Sequence, residues 1–285
     1  VWDVMNPPPI AAADSDTTGE DAVLVRAAAS GVLANDIDGG SDTDALSVAS
    51  VAGASGNVGA AVAGSAGGSF TLEADGGYLF DPGSDFQDLA VGESRVTTVA
   101  YTVTDAQGAT DSAVLTVTVT AANDAPDITV GAGDSAAAGL VETDAGLTTS
   151  GTLSVTDVDL TDTVAPSVVN VVATGDDGGL NTATLQAMLS VPAGDVIDAS
   201  STTGTIGWSF DSGSEAFDHL ASGETLVLTY TVRATDSPTG ASDDQSVTIT
   251  ITGTNDAPVV TGTLANQSDA DGDAVSFDAS TVFSD

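Results

Sequence analysis

Residues 115–120 (LTVTVT) and 123–126 (NDAP) decide the fold, because the chain repeats them as 247–252 (VTITIT) and 255–258 (NDAP). Each copy alternates apolar residues with Thr, which is the pattern of a strand with one buried and one exposed face. The Asn-Asp-Ala-Pro that follows combines residues that favour turns with a proline that ends a strand. The two copies lie 132 residues apart (255 minus 123), so the chain is predicted to be an array of domain-sized repeats.

Arrays of similar domains span distance or hold a partner, and we predict that this chain is not an enzyme. Its 285 residues divide into repeat 1 (1–122), repeat 2 (123–254), and a linker with the truncated start of a third module (255–285). Short alternating stretches separated by Gly, Asp, Ser and Asn predict an all-β fold of antiparallel β-sandwiches arranged end to end. One short helix is predicted over 182–189 (TATLQAML). Because the chain stops inside a module, we expect it to be a segment of a longer protein.

The alternation also predicts which side chains form the core. Trp208 lies in an apolar stretch and is expected to fill the core rather than to bind a sugar. The other predicted inward residues are Val99, Tyr101, Val103, Leu115, Val117 and Val119 in repeat 1, and Leu226, Leu228, Tyr230, Val232, Val247, Ile249 and Ile251 in repeat 2.

The charge of the chain excludes several classes of partner. There are 42 acidic residues, 3 arginines and no lysine, for a formal net charge of −39. Nothing here neutralises phosphates, which excludes nucleic acid and docking on an anionic membrane. No stretch reaches the roughly 18 consecutive apolar residues of a membrane span, so membrane insertion is not expected either. The partners that remain are cations.

The acids are 36 Asp and only 6 Glu. Asp is favoured where a short carboxylate caps a turn or chelates a metal from one. An acidic surface suited to a salty habitat is the other explanation, and both remain open for the excess as a whole. Cysteine is absent, which excludes disulfides and thiolate metal sites. If the fold needs a cross-link, a metal ion bound through oxygen atoms is the remaining option.

The two repeats also align away from the closing motif. Residues 86–93 (FQDLAVGE) match 217–224 (FDHLASGE), and 35–38 (NDID) match 156–159 (TDVD). Acids therefore recur at equivalent positions, which random surface acidity would not produce. In these motifs the chain resembles the VCBS repeats of large bacterial secreted and surface proteins, including RTX-type adhesins, over about residues 6–258.

A more distant resemblance is to cadherins, whose domains hold calcium between them. It implies that the equivalent acids and the Asn-Asp linkers bind Ca²⁺ here. The linkers lack the leading Asp and the second Asn of the cadherin linker, which leaves the number of calcium ions per junction open. The implied ligands are Glu20, Asp36, Asp38, Glu93, Asp105, Asn123, Asp124, Glu142, Asp157, Asp159, Glu224, Asp236, Asn255, Asp256 and Asp285.

Calcium chemistry favours sites shared between modules. The ion prefers six to eight oxygens at about 2.3–2.6 Å, more than any short loop here supplies. Without a cation so many carboxylates repel one another, so calcium should stiffen each junction, with an affinity on the order of 10⁻⁴–10⁻³ M as in extracellular modules. The resemblance assigns these ligands to three places. At the first junction, Glu20, Glu93, Asn123 and Asp124 would meet Asp157, Asp159 and Asp236 of the next module. At the second junction, Glu142, Glu224, Asn255 and Asp256 would meet Asp285, and Asp36, Asp38 and Asp105 would face a preceding module.

Other polar residues have ordinary interpretations. Isolated acids such as Asp134 and Asp195 are interpreted as caps of turns or strand ends. Residues 41–44 (SDTD) and 269–273 (DADGD) stay open between capping and metal binding. His219, the only histidine, is interpreted as a surface or packing residue.

Together these features predict an extender segment of an extracellular, calcium-dependent bacterial adhesin or cell-surface fibre, in contact with neighbouring repeats of the same chain. The alternative is that a repeat itself binds a cell-surface glycan or another copy of the chain, as in a matrix or surface-layer protein. Repeat 2 is the better candidate for that role because it carries the longer central insert, about residues 164–206. A spacer attached to a secreted hydrolase is a third possibility, with its catalytic domain outside this sequence.

Overall fold

The computed structural model describes residues 6–39, 44–257, 259–260, 262–263 and 282–284. The predicted all-β fold is confirmed, because these residues form two β-sandwiches, each built from two four-stranded sheets. We call them module 1 (residues 6–122) and module 2 (residues 123–254). The predicted boundaries fall in the coils that follow the last strand of each module.

Module 1 contains two sheets that enclose one hydrophobic core. Its strands are β1 (Asp14–Gly19), β2 (Leu24–Arg26), β3 (Ser47–Val51), β4 (Val62–Ala63), β5 (Ser69–Leu72), β6 (Tyr78–Asp81), β7 (Ser94–Thr104) and β8 (Thr110–Thr120). The strand orders are β1-β8-β7-β3 and β2-β6-β5-β4. Two short 3₁₀ turns, Ala28–Ser30 and Ser55–Asn57, lie in the connections.

Module 2 repeats this plan with an insertion. Its elements are β9 (Asp127–Thr129), β10 (Ala137–Val141), β11 (Thr148–Thr156), β12 (Thr163–Thr174), α1 (Thr182–Ala187), β13 (Leu189–Ser190), β14 (Thr203–Asp211), β15 (Thr225–Ser237) and β16 (Ser242–Thr252). The strand orders are β10-β16-β15-β12 and β13-β14-β11-β9. Beyond module 2, β17 (Val259–Val260) pairs with β18 (Phe283–Ser284).

One strand pair in each module differs from the predicted antiparallel arrangement. β1 runs parallel to β8, and β10 runs parallel to β16, whereas the other strand pairs described are antiparallel. Hairpins force antiparallel pairing, but β1 and β8 are separated by most of the module, so no tight turn sets their direction. Both strands therefore end at the same end of the module, where the linker begins.

The period-two prediction of the core is confirmed. Every predicted inward residue of both modules is buried, with exposures between 0 and 4%. Trp208 is 1% exposed, as predicted, and its indole Nε1 donates a hydrogen bond of 2.8 Å to the Ser135 carbonyl. Burial of aromatic side chains of this size supplies much of the hydrophobic stabilisation of a small sandwich.

The segment predicted as the central insert of module 2 contains most of β12, the helix α1 and β13, but β12 occupies the sheet position that β3 has in module 1. The predicted short helix is confirmed over Thr182–Ala187, two residues shorter than expected at its C-terminal end. The Asn181 side chain accepts a hydrogen bond of 3.0 Å from the Thr184 backbone N–H, which caps the helix. Within the described residues no helix has the length and apolar character needed to cross a membrane.

Candidate metal centre

A buried glutamate stands at the lower end of each module, where the parallel strand pair ends. Glu20 follows β1 and is 1% exposed, and its Oε1 accepts a hydrogen bond of 2.5 Å from the Ala122 backbone N–H. Glu142 follows β10 and is 2% exposed, and its Oε1 accepts bonds from the Thr254 N–H (2.5 Å) and hydroxyl (3.0 Å). The parallel pairing thus holds one carboxylate of each module against the linker that leaves it.

The upper end of module 2 presents a second group of acids to the same linker. Asp157, Asp159 and Asp162 follow β11, and Asp236 lies near the end of β15; all four are between 0 and 3% exposed. The Asp159 N–H donates to the Asp157 Oδ1 (3.1 Å), so the loop folds back on its own carboxylate. Asp162 was missing from the sequence-based ligand set, although 157–162 (DVDLTD) places it three residues after the Asp-x-Asp pair.

The linker joins these two groups. The Asn123 Nδ2 donates to the Asp236 Oδ2 (2.7 Å), and the Asp124 N–H donates to the Asp159 Oδ2 (2.9 Å). Glu93 of module 1 lies close enough to Asp162 of module 2 for its charge to raise the pKa of the Asp162 carboxyl group, after the larger effect of burial. We call this arrangement the first junction.

Most of these residues also carry one buried oxygen that has no hydrogen-bond donor. A buried carboxylate oxygen without a donor is costly in a folded protein. Within the described part of the chain eleven buried side-chain atoms have no partner, and each is an oxygen of Asp, Glu or Asn. They belong to Asn6, Glu20, Asp36, Asp38, Asp44, Asn123, Asp124, Glu142, Asp157, Asp159 and Asp162. Carboxylate and amide oxygens without donors are the ligand set of a hard cation such as Ca²⁺, so the residues present fit that ion.

Burial also raises the pKa values of several acids in the first junction. Burial raises the pKa of Asp159 to about 7, and the neighbouring carboxylates act in the same direction. Burial likewise raises the pKa of Glu20, Asp124, Asp157 and Asp162. These groups therefore resist ionisation until a positive charge compensates them.

The upper end of module 1 shows the same design. The Asn6 Nδ2 donates to the Asp105 Oδ2 (2.9 Å), as Asn123 does to the corresponding acid of module 2. This bond is the largest of the effects that lower the pKa of Asp105. Asp36 and Asp38 each keep one unpartnered buried oxygen, and so does Asp44, which the sequence left open.

Only part of the predicted second junction is described. Glu224 accepts a hydrogen bond of 3.1 Å from the Ala221 N–H, and the Asn255 side chain donates to the Asp256 carbonyl (2.9 Å). Asp285 lies outside the described residues, as do residues 41–43 and 269–273 of the two open motifs. The ligand roles of the whole set stay predictions.

The contacts of Asp134 and His219 agree with the capping and packing roles that the sequence indicated. Asp134 accepts hydrogen bonds from the Thr152 hydroxyl (2.6 Å), the Ser154 hydroxyl (2.7 Å) and the Gly131 N–H (2.9 Å), which is a strand-end cap. His219 packs 6.2 Å from the Phe217 ring, with its Nε2 3.2 Å from a backbone carbonyl.

Comparison with known proteins gives one family match. The model of the bacterial cadherin-like domain matches residues 6–121. No curated protein matches the chain.

Solved structures that match the chain include extracellular cadherin domains. Cadherin domains 1–5 of protocadherin gamma B2 are 17% identical, with a TM-score of 0.46, over 91% of this chain and 42% of that one. Domains 1–4 of Drosophila N-cadherin are 15% identical, with a TM-score of 0.42, over 86% and 50%. Domains 21–23 of human CDH23 are 14% identical, with a TM-score of 0.43, over 87% and 69%. The chain thus spans less than half the length of the protocadherin structure.

The finer resemblance, to VCBS repeats of RTX-type adhesins, stays a prediction. The family match covers module 1 and supports the cadherin-like part of the predicted resemblance there: over residues 6–121 the chain is similar to a bacterial cadherin-like domain.

Proposed function

We propose that the chain is an extender segment of an extracellular, calcium-dependent bacterial adhesin or surface fibre, and that calcium at its junctions stiffens it. One observation carries the proposal: at the first junction, acids from both modules meet across the linker with buried oxygens that no donor satisfies. The similarity of module 1 to a bacterial cadherin-like domain supports the same role.

The residues proposed to hold calcium at the first junction come from three places. Module 1 supplies two glutamates, the linker supplies an amide and a carboxylate, and module 2 supplies a loop of three aspartates and one more from β15. They are Glu20 and Glu93, Asn123 and Asp124, and Asp157, Asp159, Asp162 and Asp236. A bound calcium ion would supply the positive charge that this oxygen-rich site lacks.

Stiffening follows from the electrostatics of the metal-free site. Buried like charges repel, and this repulsion favours separation of the two modules. A divalent cation replaces it with attraction to ligands on both sides of the linker. Sites of extracellular modules are weak, on the order of 10⁻⁴–10⁻³ M, so such junctions fill outside cells and empty in a cytoplasm.

We also propose a structural rather than a catalytic role. The buried acids of the described residues lie near the ends of the modules, and the single histidine directs its Nε2 towards the Asp176 carbonyl rather than towards a hydroxyl nucleophile. The contacts of an extender are end to end, with neighbouring modules of its own chain.

Small-angle scattering and thermal melting of the whole chain test the proposal, first in calcium and then in excess EGTA at constant ionic strength. We expect chelation to lower the melting temperature and to make the particle shorter or more flexible. Asp159→Asn should weaken both responses, because it removes a buried ligand of the first junction. Asp195→Asn, at an exposed isolated acid, is the matched control and should leave them unchanged. If calcium changes neither the scattering nor the melting of the parent chain, the proposal is wrong.

A further inference from the structure

The strand β12 forms one edge of a sheet in module 2 and is the longest edge strand of the described sheets. It has 12 residues, whereas β3, which occupies the same sheet position in module 1, has 5. An edge strand presents backbone N–H and C=O groups with which a strand of another chain can pair. Proteins usually shorten or cover such an edge, so a long edge that stays open is a candidate contact surface.

Module 1 covers the corresponding edge. The Val48 backbone N–H donates a hydrogen bond of 3.0 Å to the Ala74 carbonyl, which lies in the turn between β5 and β6. At the other end of β3, Val51 and Ala54 exchange two backbone hydrogen bonds of 3.1 Å each. The edge of β3 is therefore closed near both ends by segments of its own module.

In module 2 only the first half of β12 is covered. The Val164 N–H donates to the Ile197 carbonyl (3.0 Å), and the Val164 carbonyl accepts a bond from the Val196 N–H (2.8 Å). Further along, the Gln186 side chain of α1 donates to the Val168 carbonyl (2.8 Å). From residue 170 to residue 174, no backbone hydrogen bond joins the outer side of the strand to another described segment. We call residues 170–174 (NVVAT) the open edge.

The register with β15 shows which backbone groups of the open edge point outward. In an antiparallel pair, every second residue directs both its N–H and its C=O to the same side of the strand. Val164 faces outward, and a bulge directly after Val168 shifts the alternation by one residue. Val171 and Ala173 therefore direct their backbone groups outward. They lie on either side of Val172, so the edge is complementary to itself when a second copy is turned by a two-fold axis at Val172.

The open edge is also uncharged, although the chain is strongly acidic. Residues 163–175 contain no ionisable side chain in a chain with 42 acids and a net charge of −39. A groove of about 450 Å³ beside the strand is likewise lined by uncharged residues, among them Leu189 and Val191. The opposite edge of the sheet, β10, runs directly into the acidic Glu142. Copies of this chain repel one another over most of their surface, so contact between them is least opposed at a face without acids.

We propose that the open edge of β12 binds the open edge of a second copy of the chain, as an antiparallel pair with Val172 opposite Val172. Val171 of each copy exchanges backbone hydrogen bonds with Ala173 of the other, which satisfies the outward groups of both. The side chain of Val172, 53% exposed in the single chain, packs against its own copy at the centre. Asp176 follows the edge and lies at opposite ends of the pair in the two copies, so these acids do not oppose each other.

This lateral contact adds to the end-to-end contacts of the proposed function and does not depend on them. It uses no carboxylate, so it needs no calcium. Because the paired segment is short, we expect a weak dimer that forms at high protein concentration. High salt should strengthen the dimer, since it screens the repulsion between two acidic chains and leaves an uncharged contact unaffected.

Sedimentation velocity of the whole chain at rising protein concentration tests the association. We expect a monomer–dimer equilibrium that shifts towards the dimer in high salt. Val172→Glu should abolish the dimer, because it places two carboxylates opposite each other. Val96→Glu is the matched control, since Val96 is 50% exposed on the outer face of β7, away from the open edge, and the substitution adds the same charge. This control should dimerise as the parent chain does.

Cysteine cross-linking tests the position of the two-fold axis. The chain contains no cysteine, so Val172→Cys carries a single thiol. In the proposed pair residue 172 is opposite itself at a position without ladder hydrogen bonds, where Cβ atoms lie about 4.5 Å apart, close enough for a disulfide. Oxidised glutathione should therefore convert Val172→Cys to a covalent dimer several times faster than the control Val96→Cys.

Ala173→Pro removes one outward N–H and leaves the hydrogen bonds to β15 in place, as edge strands tolerate. Loss of the dimer in this variant and in Val172→Glu, with melting temperatures close to that of the parent monomer, supports the contact and separates it from loss of the fold. A parent chain that stays monomeric at every concentration and salt would overturn the proposal and leave the edge to a strand of a different protein. Equal cross-linking rates of Val172→Cys and Val96→Cys would overturn it as well. Asp159→Asn should dimerise as the parent does, so failure of the calcium-dependent extender role is seen separately.

Discussion

Two aspartates of this chain, Asp134 and Asp159, differ in the hydrogen-bond donors around them. Hydrogen bonds from Thr152 and Ser154 lower the pKa of Asp134, which caps a strand end. Burial with few donors raises the pKa of Asp159 to about 7. The same residue type is therefore stabilised as an ion at one position and resists ionisation at another.

Asp159 predicts an unusual dependence of stability on pH in the metal-free protein. Its folded pKa of about 7 exceeds the unfolded value of about 4, so between these values the folded state binds more protons than the unfolded one. Stability conferred by this group is present below about pH 4 and is lost as pH rises to about 7. We expect calcium-free protein to melt at a higher temperature at pH 5 than at pH 8.

Asp159→Asn isolates the effect, since it removes the titrating group. The difference between the melting temperatures at pH 5 and pH 8 should shrink in this variant and should persist in Asp195→Asn. A parent chain that melts higher at pH 8 than at pH 5 without calcium would show that burial of Asp159 does not control its stability.

The sequence predicted most of the acids of the first junction, because they recur at matched positions of two repeats. It missed Asp162, which has no counterpart at the same spacing in 36–44 and packs into the site only through the fold of the loop. It also passed over Gln87, whose Nε2 donates a hydrogen bond of 3.0 Å to the Oδ1 of Asp21, a contact that neither the composition nor the alignment of the repeats indicates.

Among the strands, the pairing of β11 with β14 depends on a close contact between a glycine and a tryptophan. Gly151 lies opposite Trp208 in the register, and a Cβ at Gly151 would lie 2.6 Å from the indole Cε2. Trp208 is 1% exposed and cannot move outward without losing its core contacts.

Gly151→Ala is therefore expected to destabilise module 2 by about 1–3 kcal/mol, as overpacking of a filled core does. Gly207→Ala is the matched control, because Gly207 lies on β14 opposite the next residue of β11 and nothing lies within 4 Å of its Cβ position. The control should be neutral or slightly stabilising, since alanine restricts the unfolded chain. Chemical denaturation of both variants measures the difference, and equal destabilisation of the two would contradict this account.

Alternation of apolar residues with Thr was enough to predict the inward faces of β7, β8, β15 and β16. It could not predict that β1 and β10 pair in parallel with the last strands of their modules. In β1 the residues 14–19 (DSDTTG) contain no large apolar side chain, so the pattern has no apolar face to indicate which strand lies beside it. The position of such an edge strand is set by the sheet that it joins rather than by its own composition.

At the scale of the molecule, the unsatisfied acids among the described residues are concentrated at the ends of the modules, while two long strands of module 2 present mainly hydroxyl groups. In β15 and β16 the outward positions are largely Thr and Ser, whose branched or short side chains suit an exposed sheet. The sheets therefore hold each module together, and the acidic ends of the modules lie where one module is connected to the next.

The parallel pair of first and last strands also determines how a module bears a load. β1 and β8 are aligned over six pairs, from Asp14 opposite Leu115 to Gly19 opposite Thr120. Tension applied through the two ends of the module pulls these neighbours in opposite directions along their length, so the ladder bonds are strained together in shear. Attachment at Ser94 and Thr120, which pair across the open end of the β7–β8 hairpin, would instead peel that ladder apart one bond at a time. Single-molecule pulling should therefore give a higher rupture force through the two ends of module 1 than through these two residues.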